Sequence, residues 1–130
     1  MPELGFKSTL KMSYDEALVK ATDALKAEGF GVLTSIDVKD TMKKKLDVDF
    51  RKYSILGVCN PPLAHRALST RIDVGLLLPC TVIVYEEGDG AVVNILNPLA
   101  MTELIPEPEL QAVMGEARAR LARVSEALNR

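Results

Sequence analysis

The residues most capable of chemistry lie in one stretch, YSILGVCNPPLAHRAL, from Tyr53 to Leu68. An apolar run leads to Cys59, then to Asn60-Pro61-Pro62, and then to His65, the only histidine of the chain. A cysteine at the N-terminus of a helix has a lowered pKa, because the free amides and the helix dipole favour its thiolate. A free cysteine at the end of a buried strand instead behaves as a small apolar residue. The sequence leaves both interpretations open for Cys59.

Cys80, which has 20 residues between it and Cys59, adds further alternatives. The two cysteines can form a reversible disulfide if their Cα atoms lie about 4.4–6.8 Å apart, which spacing does not settle. A zinc site would have at most three ligands per chain, Cys59, His65 and Cys80, and His65 falls off the apolar face of its predicted helix. The same position of His65 disfavours a Cys–His nucleophile pair. We therefore predict no metal site and no catalytic residue, and we interpret His65 as solvated.

A helix that begins at Asn60 is also a candidate anion site, because helix N-termini present free amides. Positive charge near it would come from Lys39, Lys43, Lys44, Lys45, Arg51, Lys52, Arg66 and Arg71. The alternative is that the lysines are the solvated face of a short helix, and we favour it. Sixteen basic against eighteen acidic residues, 5% aromatics and no tryptophan oppose a phosphate-tracking groove or a stacking platform. We expect no nucleic-acid partner.

Length and composition bound the class of protein. A chain of 130 residues with 48% apolar and 26% charged residues is typical of a single globular domain, residues 1–130. No apolar run reaches the roughly 20 residues that span a bilayer, and MPELGFKSTL lacks the pattern of a signal peptide. Two cysteines are too few for a secreted disulfide scaffold. We therefore expect a cytoplasmic protein without a membrane partner.

Hydrophobic periodicity predicts the elements that position these residues. Period-two alternation predicts strands over 4–12 and 30–38, and apolar runs predict strands over 53–59, 80–86 and 91–96. A Ser13–Glu16 capping box, in which the Glu16 carboxylate reaches back to the Ser13 amide, and Gly29 as a left-handed C′ residue predict a helix over 14–28. Helical spacing and caps predict helices over 39–46 and 61–70 and a long helix from Pro108. Its apolar stripe is Leu110, Met114, Ala117, Leu121, Val124 and Leu128. This order predicts an α+β fold, a curved, mostly antiparallel sheet with helices on one face.

Turn chemistry sets the details around the candidate site. Asn60 is a good N-cap, and Pro61 is suited to the first helical position, where its missing N–H has no helical partner. Pro79 should lie at the start of a strand or at a sheet edge, because it cannot donate to a ladder. Asn97-Pro98, after the last strand, resembles Asn60-Pro61, and we interpret the two as independent strand exits.

Three segments carry a family resemblance: YSILGVCNP at 53–61, GLLLPC at 75–80, and Asn97-Pro98. With them the chain resembles a family of small prokaryotic proteins catalogued as domain of unknown function 302, over nearly its whole length. The resemblance implies an α+β fold similar to that of the TATA-binding protein, frequent homodimers and no agreed activity. It singles out Cys59, Asn60, Pro61, Pro79 and Cys80 and attaches no chemistry to them.

The residues and the resemblance together lead to one functional prediction and one alternative. We predict a homodimer that binds a small ligand or senses redox state around Cys59, Asn60 and Cys80, with no cofactor assigned. The alternative is a structural or protein-interaction dimer whose cysteines are core residues and which has no small-molecule site. No constellation of catalytic groups indicates an enzyme.

Overall fold

The computed structural model describes residues 3–130, and of Glu103 only the backbone. The described residues form five strands: β1 (Gly5–Leu10), β2 (Gly31–Asp37), β3 (Tyr53–Cys59), β4 (Cys80–Glu87) and β5 (Gly90–Leu96). They also form four α-helices: α1 (Tyr14–Ala27), α2 (Val38–Leu46), α3 (Pro61–Thr70) and α4 (Pro108–Leu128). Two 3₁₀ helices, Ile72–Leu77 and Pro98–Leu104, precede β4 and α4.

The strands form one sheet in the order β1-β5-β4-β3-β2, and each neighbouring pair is antiparallel. This architecture confirms the predicted α+β class. Because β4 separates β3 from β5, those two strands run in the same direction and end at the same edge of the sheet. The edge where β3 and β5 end and β4 begins therefore collects Cys59, Cys80 and Asn97.

The core lies between one face of the sheet and three of the helices. Its sheet side is built from alternate residues such as Val58, Val82 and Ile95, which are fully buried. The helix side comes from α1, α3 and α4, whose buried residues recur at helical spacing. The predicted packing of helices on one face holds for these three, whereas α2 contributes no buried side chain.

The start of α1 follows the predicted capping chemistry with one difference. The Ser13 hydroxyl accepts from the Glu16 amide at 3.1 Å, as expected for an N-cap. The Glu16 carboxylate accepts from the Ser13 hydroxyl at 3.0 Å, where the capping box predicted a bond to the Ser13 amide. Gly29 has a φ of 86°, the left-handed conformation predicted to end this helix.

β2 differs most from its prediction. The alternation from Phe30 to Val38 predicts a strand, but Val38 begins α2, because the Asp37 side chain caps that helix by accepting from the Asp40 amide. A register shift between Val32 and Thr34 makes Leu33 a bulge residue. All seven residues of β2 are exposed, whereas β1, the strand at the other edge of the sheet, has two buried residues.

The remaining elements lie close to their predicted bounds. The helix predicted over 61–70 is α3, and Pro79 directly precedes β4, as its missing N–H required. The apolar approach to Pro79 is a 3₁₀ helix in which Val74 is buried. On α4 the buried stripe includes Val113 in place of Met114, which is only half-buried. Every helix within residues 3–130 is too short or too polar to span a bilayer.

Candidate functional site

Asn60 fixes the junction between β3 and α3. Its side-chain oxygen accepts from the Leu63 amide at 3.3 Å, and its side-chain nitrogen donates to the Glu28 carbonyl at 3.5 Å. The first bond caps α3, and the second joins this cap to the end of α1. A Cβ at Gly29 would lie 2.9 Å from the Asn60 nitrogen, so a glycine is needed there for close approach. Asn60 is 8% exposed, and its polar atoms are used within the protein.

Asn97 has the same arrangement at the end of β5. Its side-chain oxygen accepts from the Leu99 amide, and its side-chain nitrogen donates to the Glu3 carbonyl, both at 3.1 Å. The two Asn-Pro segments thus cap the two helical segments that leave the same edge of the sheet. The sequence predicts two independent strand exits. Their common chemistry is that each asparagine caps a helical segment and donates to a backbone carbonyl of a neighbouring segment.

A cavity of about 320 Å³ lies at this edge, lined by α3, α4 and the two 3₁₀ helices and open on one side. Its volume is within the range typical of small-molecule sites. Of its twenty described lining residues, Cys59, Asn60 and Cys80 carry side-chain polar or thiol groups, and the others are aliphatic, aromatic, proline or methionine. The walls therefore favour an apolar occupant, because a polar molecule would lose its hydrogen bonds to water without replacement.

The structure brings together four of the five predicted site residues. Cys59, Asn60, Pro79 and Cys80 line the cavity, whereas Pro61 occupies the first turn of α3 and faces solvent. Cys80 lies opposite Val58 in the β3–β4 ladder, and Val58 directly precedes Cys59 in the chain. Both cysteines are free thiols. The structure thus brings Cys59 and Cys80 together at the cavity wall, a proximity that the sequence left open.

The Cys80 thiol is not activated. Burial raises the pKa of the Cys80 thiol above its ordinary value, and the nearby Cys59 raises it further. At neutral pH Cys80 is therefore a protonated thiol, which is a weak nucleophile and a weak hydrogen-bond donor. It suits contact with a soft, apolar group better than covalent chemistry.

The anion alternative lacks its donors. Pro61 and Pro62 have no N–H, the Leu63 amide is bound to the Asn60 side chain, and the Ala64 amide donates to the Asn60 carbonyl. The nearest arginines are also paired. Arg66 contacts Glu109 and Glu116, and Arg71 contacts Asp73 and Glu107. The first turn of α3 therefore offers little to a phosphate or carboxylate.

His65 lies on the exposed side of α3, as the helical spacing predicted. It does not line the cavity that contains Cys59 and Cys80. Within residues 3–130, no three His, Cys, Asp or Glu side chains are grouped so as to hold a metal ion.

Sequence reasoning missed the far wall of the cavity. Met101 from the second 3₁₀ helix and Met114 from α4 line it, together with Leu33 from the β2 bulge. Methionine side chains are flexible and polarisable and adapt to irregular apolar ligands. Met114 belonged to a stripe that indicated packing alone, and nothing in the sequence joins it to Cys80.

The fold and the cavity define a small α+β protein with an apolar pocket at one edge of an antiparallel sheet. The chain belongs to the family described as "Domain of unknown function DUF302", whose model matches residues 6–128. It is similar to a solved structure, the crystal structure of an uncharacterized conserved DUF302 protein from Bacillus stearothermophilus. The two chains are 28% identical, the match covers 98% of this chain and 99% of that chain, and the TM-score is 0.88. Comparison with curated proteins gives no match.

These findings confirm the predicted family and the α+β class. The predicted likeness to the TATA-binding protein fold stays a prediction.

Proposed function

We propose that this protein is a homodimeric binding protein for a small, predominantly apolar molecule, held in the cavity beside Cys59, Asn60 and Cys80. The observation that carries the proposal is a cavity of about 320 Å³ whose described wall is apolar apart from these three residues. Burying apolar surface contributes about 25 cal/mol per Å², so a hydrocarbon or aromatic ligand gains affinity from the walls themselves. No catalytic step is proposed.

Redox sensing, the other part of the sequence prediction, has weaker support. Disulfide formation starts from a thiolate, and burial raises the pKa of Cys80. In this proposal Cys59 and Cys80 act as part of the cavity wall, to which they contribute shape and polarisable sulfur atoms. The alternative of a structural dimer with no small-molecule site differs from our proposal in one measurable respect, the occupation of the cavity.

Occupation of the cavity can be measured with N-phenyl-1-naphthylamine, an uncharged dye whose fluorescence rises in apolar surroundings. Ala64 lines the cavity and is half-buried on α3, so Ala64→Phe places a ring in the binding space. Ala119→Phe is the matched control, because Ala119 is exposed on α4 and lies outside the cavity lining. We expect one dye per chain, binding at least tenfold weaker in Ala64→Phe, and unchanged binding in Ala119→Phe.

Equal dye affinity in wild type and Ala64→Phe, with both variants folded by circular dichroism, would contradict the proposal. Native mass spectrometry of the protein as purified then reports the assembly and the identity of any resident molecule. A dimer with excess mass that disappears in Ala64→Phe is the expected result. A dimer at the bare sequence mass that also fails to bind the dye would favour the structural alternative.

A further inference from the structure

Residues 31–52, which comprise β2, α2 and the following loop, contribute no fully buried side chain to the core. We call them the edge segment. Within it no residue is buried and twenty of twenty-two are exposed. Isolated helices shorter than about 12–15 residues are marginal in water, and the nine-residue α2 has no buried side chain to support it. A strand and a helix in this condition gain most from a partner that covers them.

The edge segment is also rich in exposed apolar side chains. Eleven large apolar residues are exposed within residues 3–130, and six of them lie in this segment. They are Val32, Leu33, Ile36, Leu46, Val48 and Phe50. Single exposed apolar residues are normal on protein surfaces, but more than half of them concentrated in one short segment favours an interaction surface.

The two edges of the sheet differ in protection. β1 carries Lys7 and lies against α4, where the Asn129 side chain donates to the buried Ser8 hydroxyl at 3.0 Å. β2, with the sequence GVLTSID, carries neither lysine nor proline, and the bulge at Leu33 leaves residues 34–37 as a regular edge. Its outward N–H and C=O groups are therefore a template for another strand.

We infer that a second copy of this chain occupies the edge segment, with the two β2 strands paired antiparallel about a two-fold axis. Asp37 is the only charged residue of β2 and lies at its end. Antiparallel pairing therefore places the two Asp37 side chains at opposite ends of a strand about 23 Å long, at about 3.3 Å per residue.

Charge and area fit self-association as well. The edge segment has six basic and four acidic residues, so two copies meet without a large field of one sign. A stable interface buries about 800 Å² per partner, roughly a tenth of the 7696 Å² surface of this chain. An exposed stretch of 22 residues has the extent that such an interface needs.

The same pairing completes the ligand site, a step that rests on the proposed function. Leu33, the bulge residue of β2, lines the cavity and is 65% exposed, so it lies at the mouth. β2 begins opposite Cys59, at the pair Gly31–Cys59. A second copy on β2 covers Leu33 and closes this side of the cavity. Ligand binding and dimerisation then strengthen each other by the same factor.

Sedimentation equilibrium of the full chain tests the interface. Ile36 is 50% exposed on β2, and Ile72 is 82% exposed on the first 3₁₀ helix, outside the cavity lining, so Ile36→Lys and Ile72→Lys are matched substitutions. We expect wild type and Ile72→Lys to be dimers and Ile36→Lys to be a monomer with unchanged circular dichroism. If Ile36→Lys fails to fold, Ile36→Thr keeps a β-branched residue and should weaken the dimer at least fivefold. A monomeric wild type, or an Ile36 variant as dimeric as Ile72→Lys, would overturn the interface.

The coupling has its own readout. Saturating N-phenyl-1-naphthylamine should tighten the wild-type dimer at least fivefold, a coupling of ordinary size, and leave the dimer constant of Ala64→Phe unchanged. A β2-mediated dimer whose constant is unmoved by bound dye overturns the coupling. Equal dye affinity in wild type and Ala64→Phe overturns the proposed function instead, and the result from the Ile36 variants still decides the interface.

Discussion

Asn60 connects three elements through one amide group. It follows the last residue of β3, its oxygen caps α3, and its nitrogen holds the carbonyl at the end of α1. A buried amide with both ends bonded is stable where it is, and truncation leaves the Leu63 amide and the Glu28 carbonyl with fewer partners. Because Asn60 also lies in the cavity wall, removing its side chain should weaken both the stability of the fold and the binding of a ligand.

We expect Asn60→Ala to lower the free energy of unfolding by about 1–2 kcal/mol, the ordinary value of a lost N-cap. Ser69→Ala is the control, because Ser69 is exposed on the same helix and its removal should change stability by less than about 0.5 kcal/mol. Urea denaturation of both variants gives the comparison. A loss in Asn60→Ala no larger than in Ser69→Ala would show that the cap does not support α3.

Cys80 should titrate above the pH range of an exposed cysteine, because burial raises its pKa. In a Cys59→Ala variant, the remaining thiol should react slowly with iodoacetamide in the folded protein at pH 8 and at the ordinary rate in urea. The rate in the folded protein should rise at a higher pH than that of a free thiol. Equal rates with and without urea at pH 8 would contradict the burial of this thiol.

The same pKa has a consequence for stability. A thiol whose pKa is higher in the folded state stabilises the fold fully below the unfolded pKa, about 8.5, and loses that contribution as the pH rises through the folded value. Wild-type protein should therefore lose more stability than Cys80→Ala between pH 7 and pH 10, measured by urea midpoints. An identical loss in the two proteins would show that Cys80 ionises without cost.

At the scale of elements, we predict opposite changes in the free energy of unfolding when two glycines are replaced by alanine. Gly57 lies in β3, where a Cβ would collide with the Thr34 hydroxyl of β2 and lie 2.8 Å from the Pro79 ring. Gly57→Ala should therefore separate β2 from β3 and lower the free energy of unfolding by about 1–3 kcal/mol, as overpacking does. Gly115, inside α4, has open space around its Cβ position, and Gly115→Ala should raise the free energy of unfolding by about 0.5–1 kcal/mol.

Urea denaturation of the two variants decides this pair of predictions, since the substitution is the same in both. A loss of stability in both variants would contradict the prediction for Gly115, and a gain in both would contradict the prediction for Gly57.

The elements that the sequence predicted well are those with strong local signals. Asn60-Pro61 fixed the start of α3, Ser13 and Gly29 fixed both ends of α1, and Pro79 marked the start of β4. β2 shows the limit, because its alternation is the same whether a strand lies inside a sheet or at its edge. β2 pairs with β3 on one side and with no strand within residues 3–130 on the other. This position in the strand order depends on long-range contacts, which no local pattern encodes.

The cavity was predictable only in part for the same reason. The Cys59-Asn60 and Pro79-Cys80 segments were found because each is locally unusual, and the antiparallel register of β3 and β4 brings them together. Met101 and Met114 reach the site through the packing of helical segments far along the chain. Such contacts depend on how the helices pack over the sheet edge, which periodicity does not determine.

At the scale of the whole molecule, the cavity and the core share residues such as Val58, Leu110 and Ala117. We propose that the chain folds as one domain, so that a ligand in the cavity stabilises the entire protein rather than one part of it. A molecule that binds only the folded state adds about 2.7 kcal/mol of stability at a free concentration one hundred times its Kd.

N-phenyl-1-naphthylamine should therefore raise the Tm of wild type by on the order of 10 °C at that concentration, in a single transition. Ala119→Phe should show the same rise, and Ala64→Phe should show none, because its added ring occupies the binding space. Scanning calorimetry at one fixed protein concentration measures this, since dimerisation makes the Tm depend on concentration. Two separate transitions, only one of them moved by the dye, would mean that the cavity belongs to a unit that unfolds independently of the rest.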